Sequence, residues 1–317
     1  MLPFAIRSAL WQTETDFELL IVGDGCTDRT AEAVRAMQDP RIRWFDLPKA
    51  PGVGYANRNV ALRQARGRFI AYLAHDDIWF PDHLSRLGER LEDNAIDFAY
   101  SRGLSVATDG NITPYWCNLA IPGHRSALRS GRSAITMCTV AHAKRCLDQY
   151  GYWDETLARS ADKEMWRRIL EGGRFERFAF LAEPTSLHFV AAWRRTSMLA
   201  VQEAASRLLL KGLLRTASPP RLRLPSPPGV TQQQAAWEYL AAAPAERIAK
   251  LREAVVQFQD AVMWKSKTPA GLLGLGIGLV LGAGLERVVR AGLWLASPDR
   301  RHSLRELRRR GAGPPPA

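Results

Sequence analysis

Cysteine is scarce in this sequence, with four residues among 317, and no pair of them has the C-x-x-C spacing of a structural zinc site. So few cysteines cannot form a disulfide framework for a chain of this length, which favours reduced thiols and an intracellular compartment. The N-terminal stretch MLPFAIRSALWQTETDFELL also lacks a basic segment followed by a long apolar core, as a secretory signal peptide would have. These absences predict a cytoplasmic protein.

Acidic residues are few in the last third of the chain. Residues 201–317 hold 18 basic and 8 acidic side chains, a net charge of +10, whereas residues 1–200 hold 26 and 24, a net charge of +2. The total of +12 therefore belongs mainly to one end. A basic surface of this kind attracts nucleic acid, anionic lipid or phosphorylated substrates. Because no basic-aromatic motif accompanies the charge, we expect no nucleic-acid partner.

Short apolar runs alternate with helix-like segments from Phe17 to about Val190. Strands are predicted at Phe17–Val22, Arg41–Phe45, Arg68–Leu73 and Ile96–Ser101, and helices at Thr30–Met37, Tyr55–Ala65 and Pro81–Asp93. Such alternation predicts an α/β fold with a mainly parallel, twisted sheet flanked by helices. In these sheets ligands bind beyond the carboxyl ends of the strands. Two acidic turns, GDGCTD and AHDD, follow strands, so both should border one crevice.

Three carboxylates in these turns are candidate site residues. Asp76 and Asp77 suit a hard divalent cation, Mg²⁺ or Mn²⁺, that keeps positions open for phosphate oxygens; a solvated loop before the next helix is the alternative. Asp24 could accept hydrogen bonds from a nucleotide base or ribose, whereas Asp28 fits a helix cap. The first turn does not have the G-x-G-x-x-G pattern, which disfavours a nicotinamide enzyme.

Two further residues lie on predicted helices. Arg58 could bind a diphosphate or a base edge, although an arginine on a helix usually faces solvent. Asp162 begins the helix ADKEMWRRIL, where it is either a general base or a first-turn acid favoured by the helix dipole.

In combination these segments resemble family 2 of the glycosyltransferases, which are inverting nucleotide-sugar transferases with a GT-A fold. The resemblance runs from about Leu2 to Arg195 and is carried by AIRSALWQTETDFELLIVGDGCTD, RNVALRQARGRFIAYLAHDDIWFPDHL and YGYWDETLARSADKEMWRRILEGG. It implies that Asp24 binds the base or ribose, and Arg58 the base or phosphate. It also implies that Asp76 and Asp77 serve the ribose and the metal-bound diphosphate, with Asp77 as direct metal ligand. Asp162 would be the catalytic base.

The sequence departs from the family pattern at several positions. Gly23 and Ala74 stand where the family has the first Asp of each acidic motif, and Ala161 replaces the Glu of an E-D pair. Family members also open with a strand that this chain lacks, so we expect ten to twenty residues to precede Met1 in the working protein. Its absence would leave two strand edges unpaired. The changes at Ala74 and Ala161 and the missing start leave open an alternative, a non-catalytic GT-A domain that binds sugar or acts as a scaffold.

The last third has a different organisation, and Thr268–Leu285 is an uncharged run of 18 residues. That run is near the lower length limit for a membrane span, so it could span the membrane, lie on its surface or pack as a soluble helical hairpin. The Arg-rich segment behind it favours the surface of an anionic membrane. The predicted regions are a transferase domain at 1–195, a packing helix at 196–215, a Pro-rich linker at 216–230, a helical basic region at 231–310 and a disordered tail at 311–317.

The expected function is therefore transfer of a sugar from a nucleotide-diphospho-sugar, most plausibly a UDP-sugar, to an acceptor hydroxyl in bacterial surface glycan synthesis. The expected cofactor is Mn²⁺ or Mg²⁺, and the expected acceptor is a glycan or a lipid-linked sugar. With its basic end on anionic lipid, the protein would lie at the inner face of the plasma membrane.

Overall fold

A computed structural model of the protein describes residues 1–115, 117–129, 135–190, 222–224 and 226–266. Residues 1–190 and 222–255 form one compact unit. The predicted helix at 196–215, the run Thr268–Leu285 and the basic tail lie outside the described residues. Among the described helices, none combines the length and the apolar character needed to cross a membrane.

Helices and strands alternate through the first two thirds of the chain. The helices are α1 (Leu2–Leu10), α2 (Thr30–Arg35), α3 (Tyr55–Arg63), α4 (His83–Leu91), α5 (Pro122–Arg129), α6 (Arg145–Tyr150), α7 (Ala161–Gly172), α8 (Gln232–Ala242) and α9 (Pro244–Ser266). The strands are β1 (Leu19–Asp24), β2 (Ile42–Leu47), β3 (Phe69–Ala71), β4 (Ile78–Trp79), β5 (Phe98–Val106), β6 (Ile112–Pro114), β7 (Val140–Ala143) and β8 (Phe178–Phe189). The α/β class predicted from the alternating pattern is confirmed.

The strands pair in two sheets. Strands β1 and β2 form a parallel pair, and the larger sheet has the order β3-β7-β5-β8-β4, with β6 added to β5. Within the larger sheet only β5 and β8 run parallel, and the other pairings are antiparallel. The pairing thus differs from the mainly parallel sheet expected above. One reason is a short turn around Gly110, which reverses the chain between β5 and β6.

Among the described residues, β1 pairs with β2 on one side and β3 pairs with β7 on one side. The apolar residues of β1 are half-buried. Leu19 of β1 and Ala71 of β3 pack against the same small cluster of Ala9, Trp79 and Cys138. The two sheets therefore approach one another through side chains, and the expected additional strand stays a prediction.

The C-terminal helices share the core of the compact unit. Leu240 of α8 and Leu251 of α9 are buried against Ile78, Leu104 and Phe189, from three strands of the larger sheet. The segment before α8 also pairs with the fold, since Ile112 N donates to Leu222 O at 2.8 Å. Residues 222–255, which the sequence assigned to a linker and a separate basic region, therefore complete one face of the sheet.

Candidate functional site

Asp24 ends β1 and is surrounded by hydrogen-bond donors. Its Oδ1 accepts from Ala50 N at 2.8 Å and from Asn57 Nδ2 at 2.7 Å, and its Oδ2 pairs with the Lys49 ammonium. Partial burial acts to raise the pKa of Asp24, but the Lys49 charge and these donors outweigh it and lower the pKa. The carboxylate is therefore held in its ionised form at the mouth of the first acidic turn.

Close backbone approach around Asp24 requires glycine at two positions. Gly54 has φ +77°, and a Cβ there would lie 2.7 Å from Asp24 Oδ2. Gly23 has its own constraint, because a Cβ at this position would lie 2.6 Å from the Trp44 ring. The indole thus occupies the space that a first aspartate of the family motif would need, which gives a physical reason for Gly23.

Arg58 lies on α3 beside two neighbouring aromatic rings. Its guanidinium carbon is 5.7 Å from the Tyr55 ring centroid and 5.4 Å from that of Trp153, and Nη1 donates to Val53 O at 2.8 Å. Burial lowers the pKa of Arg58, while the charges of Asp24 and Asp162 act to raise it. Asp24 and Asp162, which were predicted separately from the sequence, are therefore each within electrostatic range of Arg58.

Asp162 occupies the first turn of α7, as predicted, and is half-buried. The helix begins after Ser160, which has φ +62°, and Ala161 N donates to the Tyr55 hydroxyl at 3.4 Å. Tyr55 also stacks near Arg58, so the same side chain contacts the start of α7 and the guanidinium. The Asp162 carboxylate is thus within electrostatic range of the Arg58 guanidinium. Among the described residues, the two side chains form no direct ion pair.

The second acidic turn differs, because Asp77 faces the protein interior. Asp77 is 2% exposed, and its Oδ1 accepts from Phe189 N at 3.1 Å. Burial, reinforced by the neighbouring Asp76 charge and partly offset by His188, raises the pKa of Asp77 to about 6. The Asp76 side chain retains 10% exposure, and Gln233 Nε2 of α8 donates to its main-chain oxygen at 3.4 Å. The turn is thus fixed from behind by β8 and α8.

The donor set of the second turn fits a Mg²⁺ or Mn²⁺ ion that substrate helps to bind. Two adjacent carboxylates are present, and His75 Nδ1 lies 3.9 Å from Asp76 Oδ1. In the part of the chain that the structure describes, no group of three or more His, Cys, Asp or Glu residues could hold a metal by itself. Such a set suits a cation held by one or two carboxylates together with phosphate oxygens.

Sequence reasoning missed residues that organise the site. Lys49 and Asn57 bind Asp24 directly, and Asn59 and Glu155 join α3 to the turn before α7. These bonds of Asn57 and Asn59 reach residues 33 and 96 positions away in the sequence, so no local pattern could have indicated them. The pairing with Lys49 carries no local signal, because it joins the ends of two different strands.

Comparison with known proteins gives a family match for the first part of the chain. The profile described as glycosyl transferase family 2 matches residues 1–143. Chondroitin synthase of Escherichia coli is 28% identical over 224 residues, covering 65% of this chain and 31% of that protein. The Escherichia coli protein WfaP, a UDP-Glc:alpha-D-GlcNAc-diphosphoundecaprenol beta-1,3-glucosyltransferase, is 35% identical over 171 residues, covering 53% of this chain and 64% of that protein.

The chain spans less than a third of the first curated relatives that it matches, with 31% of the Escherichia coli chondroitin synthase and 30% of the succinoglycan biosynthesis protein ExoO of Rhizobium meliloti. Among solved structures, Staphylococcus aureus TarS 1–349 in complex with UDP has a TM-score of 0.46 at 14% identity, covering 86% of this chain and 77% of that one. The mannosyltransferase PcManGT from Pyrobaculum calidifontis, in complex with GDP-Man and Mn²⁺, has a TM-score of 0.45 at 17% identity, covering 90% and 77%.

Proposed function

We propose that this protein, whose residues 1–143 match the profile of glycosyl transferase family 2, is a glycosyltransferase that moves a sugar from a UDP-sugar to an acceptor hydroxyl, with inversion at the anomeric carbon. The observation that carries the proposal is the grouping of Arg58 with Asp24 and Asp162, which combines an anion-binding side chain with two carboxylates. Binding of a nucleotide-diphospho-sugar and activation of an acceptor hydroxyl require an anion-binding side chain and carboxylates. The UDP-sugar donor and the inversion at the anomeric carbon are also part of the proposal.

The donor is proposed to bind across the first acidic turn and α3. Asp24 accepts hydrogen bonds from the base or ribose, which requires the exposed Lys49 side chain to move from Oδ2 or to share it. Arg58 binds the base or the diphosphate, because a guanidinium has five N–H donors and Val53 O takes one in the described structure. The two rings beside Arg58 fix its plane and reduce its freedom before substrate arrives.

The cation is proposed to bind at the second acidic turn. Sequence analysis assigns the direct contact to Asp77, whereas the geometry favours Asp76, because Asp77 is more buried and already accepts the Phe189 N–H. In this arrangement Asp77 holds the turn and Asp76 presents its carboxylate to the ion or the ribose. A bound Mn²⁺ or Mg²⁺ would neutralise charge developing on the diphosphate, so no protein acid is needed there.

Asp162 is proposed as the general base. Its carboxylate takes the proton from the acceptor hydroxyl as that oxygen forms a bond to the anomeric carbon. The bond from the anomeric carbon to the diphosphate oxygen breaks, and the nucleoside diphosphate leaves on the opposite face. The half-buried position at the start of α7 suits this role, since the helix dipole favours a carboxylate in the first turn.

The acceptor is proposed to be a glycan or a lipid-linked sugar at the inner face of the plasma membrane. Support comes from relatives whose names specify diphosphoundecaprenol acceptors, and from the net charge of +10 in residues 201–317, which suits anionic lipid. Sedimentation with phosphatidylglycerol vesicles tests the membrane part. Binding that persists after removal of residues 266–317, or that is equal on neutral phosphatidylcholine vesicles, would contradict it.

The transfer reaction is tested with a panel of UDP- and GDP-sugars, Mn²⁺ and a lipid-linked acceptor, comparing the wild type with Asp162→Asn. We expect turnover with one UDP-sugar and a loss of about a hundredfold or more in kcat for the variant, with UDP binding retained. Asp148→Asn, outside the grouping described, is a matched control. Nucleotide-sugar binding with no turnover in the wild type would favour the sugar-binding or scaffold alternative.

A further inference from the structure

Asn59 of α3 joins the helix to the turn that precedes α7. The residue is 1% exposed, and its amide is fully used. Nδ2 donates to Trp153 O and to Glu155 Oε1, both at 2.8 Å, while Oδ1 accepts from Trp153 N at 3.1 Å. A buried amide with three good hydrogen bonds fixes both partners, because each bond is strong where water is excluded.

The same turn is held from the other side by α7. Arg168 of α7 donates to Tyr150 O, and its Nη2 donates to Tyr152 O at 2.6 Å. Glu164, one turn earlier on α7, accepts from Arg168 Nε at 2.9 Å and so orients the guanidinium. The turn is therefore clamped between α3 and the helix that carries Asp162.

Helix α3 carries the donor-side contacts on neighbouring residues. Asn57 binds Asp24 and Arg58 lies beside it, so a shift of α3 moves both of these contacts and Asn59 together. One rigid helix thus links the first acidic turn to the turn before α7. The link is made of hydrogen bonds between named atoms and does not depend on a residue that contacts substrate.

We propose that Asn59, through Glu155 and the main chain of Trp153, is a positioning residue that keeps the base Asp162 in register with the donor site. This inference rests on the proposed function and deepens it. In the absence of the link, donor binding by α3 would persist, while the carboxylate would lose its alignment with the acceptor hydroxyl. A misplacement of about 1 Å in such a group can reduce the rate by about a hundredfold.

An exchange of the amide of Asn59 and the carboxylate of Glu155 between the two positions distinguishes a positioning role from simple packing. Asn59→Asp places an acceptor opposite Trp153 O and the Glu155 carboxylate, which breaks the link with almost no change in volume. Glu155→Gln alone keeps an acceptor for the Asn59 amide and is the matched control. In the double variant, Asn59→Asp with Glu155→Gln, the new glutamine amide can donate to the new carboxylate, and the net charge equals that of the wild type.

The expected result is a split between kcat and KM. We expect Asn59→Asp to lower kcat about tenfold to a hundredfold with the donor KM within threefold, Glu155→Gln to stay within threefold of the wild type, and the double variant to recover at least fivefold of the lost kcat. Should Asn59→Asp not fold, Glu155→Ala replaces it, with an expected loss of about tenfold in kcat against less than threefold for Glu155→Gln, because alanine removes the oxygen that accepts from the Asn59 amide. A double variant no better than Asn59→Asp, or weaker UDP binding in proportion to kcat, would overturn the proposal.

Hydrogen exchange gives a readout that does not require turnover. In Asn59→Asp we expect the amides of residues 164–167, the first in α7 with helical acceptors, to exchange about tenfold faster than in the wild type, with recovery in the double variant. Exchange equal to that of the wild type would overturn the link itself. A wild type that transfers from no nucleotide sugar would instead contradict the proposed function, and the exchange data would still decide whether the link exists.

Discussion

Each of the two acidic turns follows a predicted strand and carries an aspartate, but the surroundings of Asp24 and Asp77 differ. Asp24 collects Lys49, Ala50 N and Asn57 around its carboxylate, and these donors lower its pKa despite partial burial. Asp77 is buried with one main-chain donor and a like charge beside it, and its pKa rises to about 6. The first turn stabilises the ionised form of Asp24, whereas the second turn disfavours ionisation of Asp77.

This difference shows that the charge state of a strand-end carboxylate depends on what the fold brings to it from elsewhere. Lys49 comes from the end of β2 and Phe189 from the end of β8, so neither partner is visible from the residues around the aspartate. The first turn is therefore suited to a ligand that needs a fixed anion. The second is suited to a cation, whose arrival would relieve the cost of ionising Asp77 beside Asp76.

The largest effect is expected at Asp76, the more open carboxylate of the second turn. Asp76→Asn should lower kcat about a hundredfold to a thousandfold, because it removes charge that binds the cation or ribose where the diphosphate charge develops. Steady-state kinetics over a Mn²⁺ titration measures this. The control is Asp28→Asn in the first turn, which caps Thr30 N in an exposed position and should stay within about twofold. Equal losses at the two positions would remove the proposed difference between the turns.

The variant Asp77→Asn tests whether the fold disfavours ionisation of Asp77, with the free energy of unfolding as the readout. The folded pKa of about 6 lies above the unfolded value of about 3.9, so ionisation costs stability as pH rises between these values. At pH 7 the neutral asparagine, which can still accept the Phe189 N–H, should raise the free energy of unfolding by about 1–3 kcal/mol. The gain should shrink toward zero below about pH 4. Urea denaturation at pH 4 and pH 7 without metal measures the stability difference at both pH values. A variant less stable than the wild type at pH 7 would show that the fold does not disfavour ionisation of Asp77.

Gly23→Asp would give the first turn a second carboxylate in the manner of the family motif. Its Cβ would meet the Trp44 ring at 2.6 Å, so we expect a loss of about 1–2 kcal/mol from overpacking. In a Trp44→Ala background the same substitution should cost at least about 0.5 kcal/mol less, because the space is then open. Thermal denaturation of the four proteins provides the double-mutant cycle. Additive losses would show that Trp44 does not explain Gly23.

Much of the fold was predictable because apolar periodicity is local. The boundaries of β1, β2 and α3 lie within about two residues of the predicted ones. The strand pairing was not predictable in the same way, since β7 and β4 find their partners through contacts between distant segments. The packing of α8 onto Ile78 and Leu104 was missed for the same reason, because its composition is that of a surface helix and only the exposed sheet face explains its position.

For the site, residue type and motif order identified Asp24, Arg58 and Asp162, and the structure brings their charges together. The roles of these residues stay predictions. What sequence reasoning could not supply is the partner set. Asn59 reaches the Trp153 main chain across 94 residues of sequence, and no local pattern specifies such a bond. The sequence therefore names the charged residues of the candidate site, and it does not reveal what holds each charge in place.

The smallest effect is expected at Asp24, and its sign should oppose that at Asp77. Asp24→Asn and Lys49→Met each remove the exposed pair, so each should lower the free energy of unfolding by about 0.5–1 kcal/mol at pH 7. Because the folded pKa of Asp24 is depressed, the contribution is present above the unfolded value of about 3.9 and is lost as pH falls through the folded value. Denaturation from pH 7 to pH 3 should therefore show the wild-type advantage over Asp24→Asn disappearing at the acid end, and added salt should weaken it. If Asp24→Asn were instead stabilising at pH 7, as expected for Asp77→Asn, the donors around Asp24 would not outweigh its burial, and the contrast between the two turns would fail.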